Sequence, residues 1–259
     1  IGTAQTICYG ADVAAFTSTT AATGGAGVFP YTWQYTPNMV AVIGDGSWIN
    51  IAGSNSSTWD YGTLTTSTRF VRRSVEGTCI TPVYSNDIIV TIKQLPDITS
   101  GQNPVICSGN ALNYQILLNN FVNPVDNVTF IWPTPALSAG VTGGIARVVG
   151  SIANITDVFT NTSGGIGTAT FIVTPLSAGC TGPAVNIVIN VGAQPVLDPD
   201  LNAFACSNEA INLLLNKAAG SVDPTYYNIF SKTVSASLTA LVNAAMGNGT
   251  APANYLLND

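Results

Sequence analysis

The sequence predicts an all-β protein built from tandem β-sandwich modules of about a hundred residues each. Three observations carry that prediction. Cys8, Cys107 and Cys206 recur at a fixed spacing of 99 residues (107 − 8 and 206 − 107). Short β-branched or aromatic runs, bounded by Gly, Asn and Pro, fill each period. Charged residues are only 8% of the 259 residues while hydrophobic residues are 46%. Polarity therefore rests on Thr, Ser, Asn and Gly, the residues of strands and turns.

The elements follow in chain order. The first module, 1–94, opens with Thr6-Ile7-Cys8-Tyr9-Gly10. Strands are expected at Tyr31–Tyr35, Trp48–Ile51, Arg69–Val71 and Ile88–Ile92, with turns at Gly24-Gly25 and Asp45-Gly46. Leu95-Pro96-Asp97 is the joint to the second module, 95–194, which opens with Val105-Ile106-Cys107-Ser108-Gly109. Its strands are expected at 113–118, 128–132, 168–173 and 186–191. Gln194-Pro195-Val196 leads into the third, 195–259, opened by Phe204-Ala205-Cys206-Ser207-Asn208. Laid on the second, the third stops about two-thirds of the way through. Leu238, Leu241 and Val242 keep a helical spacing, but Thr, Val and Ser dominate 234–245, so an irregular or strand segment is expected there.

Trp33 and Trp132 each follow the opening cysteine by 25 residues, and Cys79 and Cys180 come later in the same two modules. The Cys…Trp…Cys order is that of an immunoglobulin-type core, in which a Trp packs against an inter-sheet disulfide.

Gln5-Thr6-Ile7-Cys8, Ser18–Gly25, Arg69-Phe70-Val71-Arg72-Arg73, Val105–Gly109 and Thr174-Pro175 followed by Gly179–Pro183 resemble the immunoglobulin-like and PKD-like repeats of very large secreted surface proteins of Bacteroidota. Gliding-motility adhesins of the SprB type carry such repeats. The resemblance implies type IX secretion, an extracellular place on the cell surface and a role as stalk or adhesive filament. It lends no catalytic residue.

If equivalent cysteines are equivalently bonded, the repeat pairs Cys8 with Cys79 and Cys107 with Cys180, and leaves Cys206 unpaired within 1–259. Two completions of the third module stay open. The parent chain continues, or a strand of another copy fills the gap, as in a homopolymeric filament.

Enzyme chemistry has little to stand on. The chain holds no His, which excludes Ser-His-Asp and Cys-His arrangements. Phosphate-binding glycine motifs are absent. Seven basic residues against thirteen acidic ones make nucleic acid an unsuitable partner. No run of eighteen apolar residues spans a membrane. No cofactor is called for, although Asp198, Asp200 and Asn202 group hard oxygen donors at the second joint, as a calcium ion would need. Trp48, Trp59 and Tyr61 flank the stretch 53–57, and aromatics so placed would stack on a glycan. The alternative reading is thus a glycan- or protein-binding module. Arg69, Arg72 and Arg73 are expected to keep an edge strand soluble. Five Asn-x-Ser/Thr triplets begin at Asn55, Asn127, Asn154, Asn161 and Asn248; the bacterial origin that the resemblance implies makes N-glycosylation there no expectation.

Overall fold

A computed structural model describes residues 1–20, 30–75, 81–120, 127–149, 154–209, 211–224, 233 and 256–257. The chain is all-β, with no helix among the described residues. None of these residues form a helix long and apolar enough to cross a membrane. The stretch 234–245 lies outside them. There are two compact units; the first takes residues 1–96 and also 176–182.

In the first unit, β1 (Gln5–Cys8), β2 (Tyr31–Thr36), β3 (Ile49–Asn50), β4 (Thr68–Ser74), β5 (Val83–Tyr84) and β6 (Ile88–Lys93) form one sheet. Its order is β1-β6-β4-β2-β3, with β5 also on β4. The first strand runs parallel to the last, Gln5 opposite Val90 and Cys8 opposite Lys93. A second layer is tied by the bridges Asp12–Thr63 and Phe16–Trp59. Phe16, Trp33, Phe70, Ile88 and Val90 are buried between the layers. The Phe16 ring lies 4.7 Å from Phe70 and 5.4 Å from Trp33, centroid to centroid. Side chains alternate across a strand, so Val71 joins Ala41 and Trp48 in a separate small cluster.

The second repeat, 95–194, follows the same plan. Its strands are β7 (Asp97–Ile98), β8 (Val105–Cys107), β9 (Tyr114–Gln115), β10 (Leu118–Asn120), β11 (Thr129–Ile131), β12 (Ala136–Leu137), β13 (Val141–Gly143), β14 (Asn154–Ile155), β15 (Phe159–Asn161), β16 (Gly167–Ser177), β17 (Cys180–Thr181) and β18 (Val185–Gly192). The main sheet runs β11-β16-β18-β8, with β12 and β17 also on β16. Again the first strand of the sheet lies parallel to the last, Cys107 opposite Gly192. The pairs β13–β15, β9–β14 and β7–β10 form the facing layer. Alternate residues of β16 and β18 are buried, which is the pattern of a strand with one face in a core. Trp132 and Phe159 each pack edge-on to Phe171 there.

Trp33 and Trp132 hold equivalent places, both buried. Each indole Nε1 donates to a loop carbonyl at 3.0 Å, Ser56 and Ile145 respectively. A buried indole N–H needs such an acceptor.

The 99-residue period continues in the backbone of the third repeat. The second opens with Ile98 opposite Leu118 and with Thr99 N–H donating to Leu117 O at 2.9 Å. The third opens with Leu197 bridging Lys217 and with Asp198 N–H donating to Asn216 O at 3.0 Å. Beyond these, β19 (Leu213–Leu214) pairs antiparallel with β20 (Leu256–Leu257).

The arginines differ from expectation. Their strand, β4, is not an edge: β2 and β6 flank it. Arg72 lies on its core side, 7% exposed, donating to Ser57 O at 2.9 Å and Thr20 O at 3.4 Å, with Tyr31 under the guanidinium at 4.4 Å. Carbonyls and a ring face replace water around the charge. On the opposite face Arg69 pairs with Asp87 at 2.8 Å, donates to Ala41 O at 2.6 Å and lies over Trp48.

Candidate functional site

The cysteines form the most informative constellation. Cys8 and Cys107 end their strands, and all three opening cysteines start the same turn. Ala11 N–H donates to Cys8 O at 2.9 Å, Asn110 N–H to Cys107 O at 3.2 Å and Glu209 N–H to Cys206 O at 3.0 Å. Gly10, Gly109 and Asn208 supply the left-handed residue of that turn, with φ of 74°, 80° and 66°. Such φ values suit Gly and, among other residues, Asn. The first two turns also dock alike. Tyr9 N–H donates to Lys93 O and Ser108 N–H to Gly192 O, while Gly10 and Gly109 N–H donate to Leu64 O and Phe159 O.

Cys180 sits on a tight hairpin. Ser177 pairs with Cys180 across Ala178 and Gly179, with φ of 46° and 84°. Two successive positive φ angles mark the turn whose twist suits a hairpin.

The disulfide corrects the expected pairing. Cys8 is bonded to Cys180, 172 residues away, with Cα atoms 5.6 Å apart. Cys107 and Cys206 are free and exposed; Cys79 lies outside the described residues. The reason is topological. Cys107 lies beside Gly192, at the end of the sheet where Gly167 of β16 pairs with Val191. The hairpin of Cys180 is at the other end of β16, past Ser177. Ten residues of strand separate the two ends by roughly 33 Å, and a disulfide tolerates at most about 7 Å between Cα atoms. In the first unit, Lys93 Nζ donates to Ala178 O at 3.2 Å beside the bond. Sequence reasoning missed Lys93 and the hairpin. One signal was present: a pairing displaced by one whole period also makes equivalent cysteines equivalent.

The other candidate residues are not brought together as expected. Trp48 is buried in the small cluster, with its Nε1 donating to Val42 O at 2.8 Å and Arg69 over its ring. Trp59 and Tyr61 pack on the main core instead. The Tyr61 ring lies 4.8 Å from Phe70, and burial pushes its phenol pKa up. The three thus belong to two clusters and offer no shared platform for a sugar ring. Asp198 accepts Asp200 N–H at 3.0 Å, and Asn202 Nδ2 donates to Asp200 O at 3.3 Å. This is a local Asx turn. Among the described residues, no three His, Cys, Asp or Glu side chains gather as a metal site.

Of the five triplet asparagines, Asn161 is fully buried. Its Nδ2 donates to Val191 O at 2.7 Å and Gly165 O at 2.9 Å; its Oδ1 accepts from Ser163 N–H at 2.9 Å and Ser163 Oγ at 2.6 Å. Asn154 donates to Asn113 Oδ1 at 2.8 Å at the surface. Asn248 lies outside the described residues.

Residues 1–94 match a family described as a domain of unknown function (DUF8696), and residues 104–195 match the PKD-like domain family. None of the curated proteins matches the chain. Among solved structures it is similar to three immunoglobulin domains of titin in an E-to-A mutated variant, at 10% identity, covering 83% of this chain and 72% of that one, with a TM-score of 0.43. It is also similar to extracellular domains 3–5 of Drosophila OTK, at 9% identity, 83% and 72% coverage and a TM-score of 0.25. The FN1–FN3 domains of chicken CNTN1 match at 13% identity, 73% and 66% coverage and a TM-score of 0.26. PKD-like domains, the family that residues 104–195 match, are a non-catalytic type typical of extracellular proteins.

Proposed function

We propose that this chain is a stalk segment of a large secreted surface protein of the Bacteroidota adhesin type, in which repeated non-catalytic modules hold an adhesive part away from the cell. The observation that carries this reading is the Cys8–Cys180 bond, which ties one repeat to the next rather than closing each on itself. Covalent ties between successive repeats suit a spacer and have no use in a catalytic site. An oxidising, extracellular setting is where such a bond persists. The partners on this reading are neighbouring repeats of the same chain. The glycan-binding alternative loses its argument with the burial of Trp48 and the separation of Trp59 and Tyr61 from it.

Antibodies raised against residues 1–259 test the location. They should label intact, unpermeabilised cells of the source organism and lose that label after external protease. Labelling only after permeabilisation would overturn the reading. A screen of glycoside, ester and peptide substrates should show no turnover by the purified chain. Activity abolished by changing one carboxylate would refute the structural role.

A further inference from the structure

The Ser177–Cys180 hairpin meets the first repeat at its tip. The Cys8–Cys180 bond joins them there, and beside it Lys93 Nζ donates to Ala178 O at 3.2 Å in an exposed hydrogen bond. Neither Cys180 nor Leu176 belongs to the core clusters formed by the described residues. The hairpin does not depend on the bond for its shape. Leu176 pairs with Thr181 and Ser177 with Cys180, and β16 keeps its ladder on β18 from Gly167 to Val173. On the other side, β1 keeps its ladder on β6 from Gln5 to Cys8. The buried indoles of Trp33 and Trp132 lie in the two main cores, away from the sulfurs.

The two sulfurs differ in their surroundings. Cys180 is only 2% exposed, while Cys8 is partly exposed and is followed by the exposed Tyr9. An incoming thiolate therefore reaches Cys8 Sγ, and the sulfur that must leave is that of Cys180. Lys93 lies opposite Cys8 in the parallel ladder, and its ammonium reaches the hairpin two residues before Cys180. It stands on the side where the leaving thiolate gathers charge. A neighbouring cation lowers the pKa of a thiol, and a thiol of lower pKa leaves faster.

We propose that the Cys8–Cys180 bond is a reducible latch: a dithiol reductant of the thioredoxin type opens it, Cys180 leaves beside Lys93, and the hairpin comes off the first repeat while both folds persist. The first thiolate of the reductant attacks Cys8 Sγ. A mixed disulfide forms, and the bond to Cys180 breaks with its electron pair kept by Cys180 as a thiolate. The second thiolate of the reductant attacks the reductant's own sulfur in the mixed disulfide and expels Cys8. The reductant is oxidised from dithiol to disulfide, and Cys8 and Cys180 gain two electrons and the two protons it gives up. The exposed hydrogen bond of Lys93 then holds the hairpin in competition with water, which leaves it little net strength. This inference goes beyond the stalk reading and stands without it.

The test uses the purified 259-residue chain with its free thiols, Cys107 and Cys206 among them, blocked by a maleimide. Reduced thioredoxin should open the bond, so that Cys8 and Cys180 take a second alkylating label. Glutathione, a monothiol, should leave its first mixed disulfide on Cys8. Lys93→Met should slow opening about threefold, and Lys93→Arg should keep the rate near that of the parent. NMR cross-peaks between the Lys93 side chain and Ala178 should fade on reduction, and also in Cys8→Ser. The Trp33 and Trp132 indole signals should keep their folded positions in both cases. Resistance to thioredoxin, a first adduct on Cys180, an unchanged rate in Lys93→Met or cross-peaks that persist would each overturn the inference. Loss of the indole signals on reduction would overturn it too, because the bond would then be a condition of folding. A resistant bond on a protein that antibodies place at the cell surface ends the latch and leaves the stalk reading standing. Opening by thioredoxin with label only inside the cell supports the latch and ends the stalk reading.

Discussion

Asn161→Ala should lower the stability of the second module by about 2–4 kcal/mol. The side chain is fully buried and makes four hydrogen bonds. The loss is uneven among its partners. The Val191 carbonyl loses its amide donor in a buried place, which costs about 1–3 kcal/mol. Gly165 O keeps a second donor, Ser163 Oγ at 3.0 Å, and the Ser163 groups can turn to water. The small cavity left by the amide adds about 1 kcal/mol. In a module of this size each kcal/mol lowers the melting point by roughly 4–8 °C. The Trp132 indole N–H signal reports this melting, because Trp132 is the sole Trp of 95–194. Asn154→Ala removes a surface amide and should change stability by less than about 0.5 kcal/mol. If Asn161→Ala melts within about 2 °C of the parent, the buried network contributes nothing and the reasoning fails. Asn161→Asp sharpens the test through pH. A carboxylate held against two carbonyl oxygens favours its protonated form, so its folded pKa rises above the unfolded value. Stability is then retained at low pH and lost as pH rises through the folded pKa. This variant should be closer to wild type near pH 4 than at pH 7, in chemical denaturation.

Arg72→Ala should cost about 2–4 kcal/mol in the first module, because the Ser57 carbonyl loses a charged donor and Tyr31 its cation; Arg72→Lys should recover only part in the same urea titration. Trp132→Ala should cost about 3–5 kcal/mol, read by hydrogen exchange in β16 and β18, and a smaller loss than Ile187→Val would contradict its place in the core. Burial raises the phenol pKa of both Tyr61 and Tyr114. For an acid whose folded pKa is raised, stability is present below the unfolded value and declines as pH climbs past about 10 towards the folded one. Ultraviolet titration should therefore show at least two phenols ionising later than free tyrosine, and Tyr61→Phe should remove one of them.

The parts of this fold that were legible are those that periodicity controls. The spacing of Cys8, Cys107 and Cys206 marks three openings with one backbone turn. The runs around Tyr31, Phe70, Ile88, Phe171 and Ile187 are strands because alternating β-branched and aromatic residues suit one buried face. The disulfide was not legible, because equivalence between repeats does not say which end of the sheet each cysteine occupies. Strand direction decides that: β8 carries Cys107 to one end while the β16–β17 hairpin holds Cys180 at the other. Arg72 was misplaced for a related reason. Three arginines in five residues look like a solvated edge until the loop carbonyls of Thr20 and Ser57 come across to meet one of them. Trp48, Trp59 and Tyr61 are neighbours in sequence, but they belong to separate clusters.

The Cys8–Cys180 bond also sets how this chain answers a pull on its two ends. Tension entering at the first residues passes from Cys8 straight to Cys180 through the sulfurs, so the 172-residue interval between them carries none of it. While the bond holds, only strands outside that interval, β1 up to Cys8 and β18 beyond Cys180, can lengthen the chain by peeling away. At about 3.3–3.6 Å per extended residue, reduction would release roughly 55–60 nm of hidden contour. A drag force would therefore meet a shorter tether under oxidising conditions, and a much longer, more compliant one once a reductant reached the sulfurs.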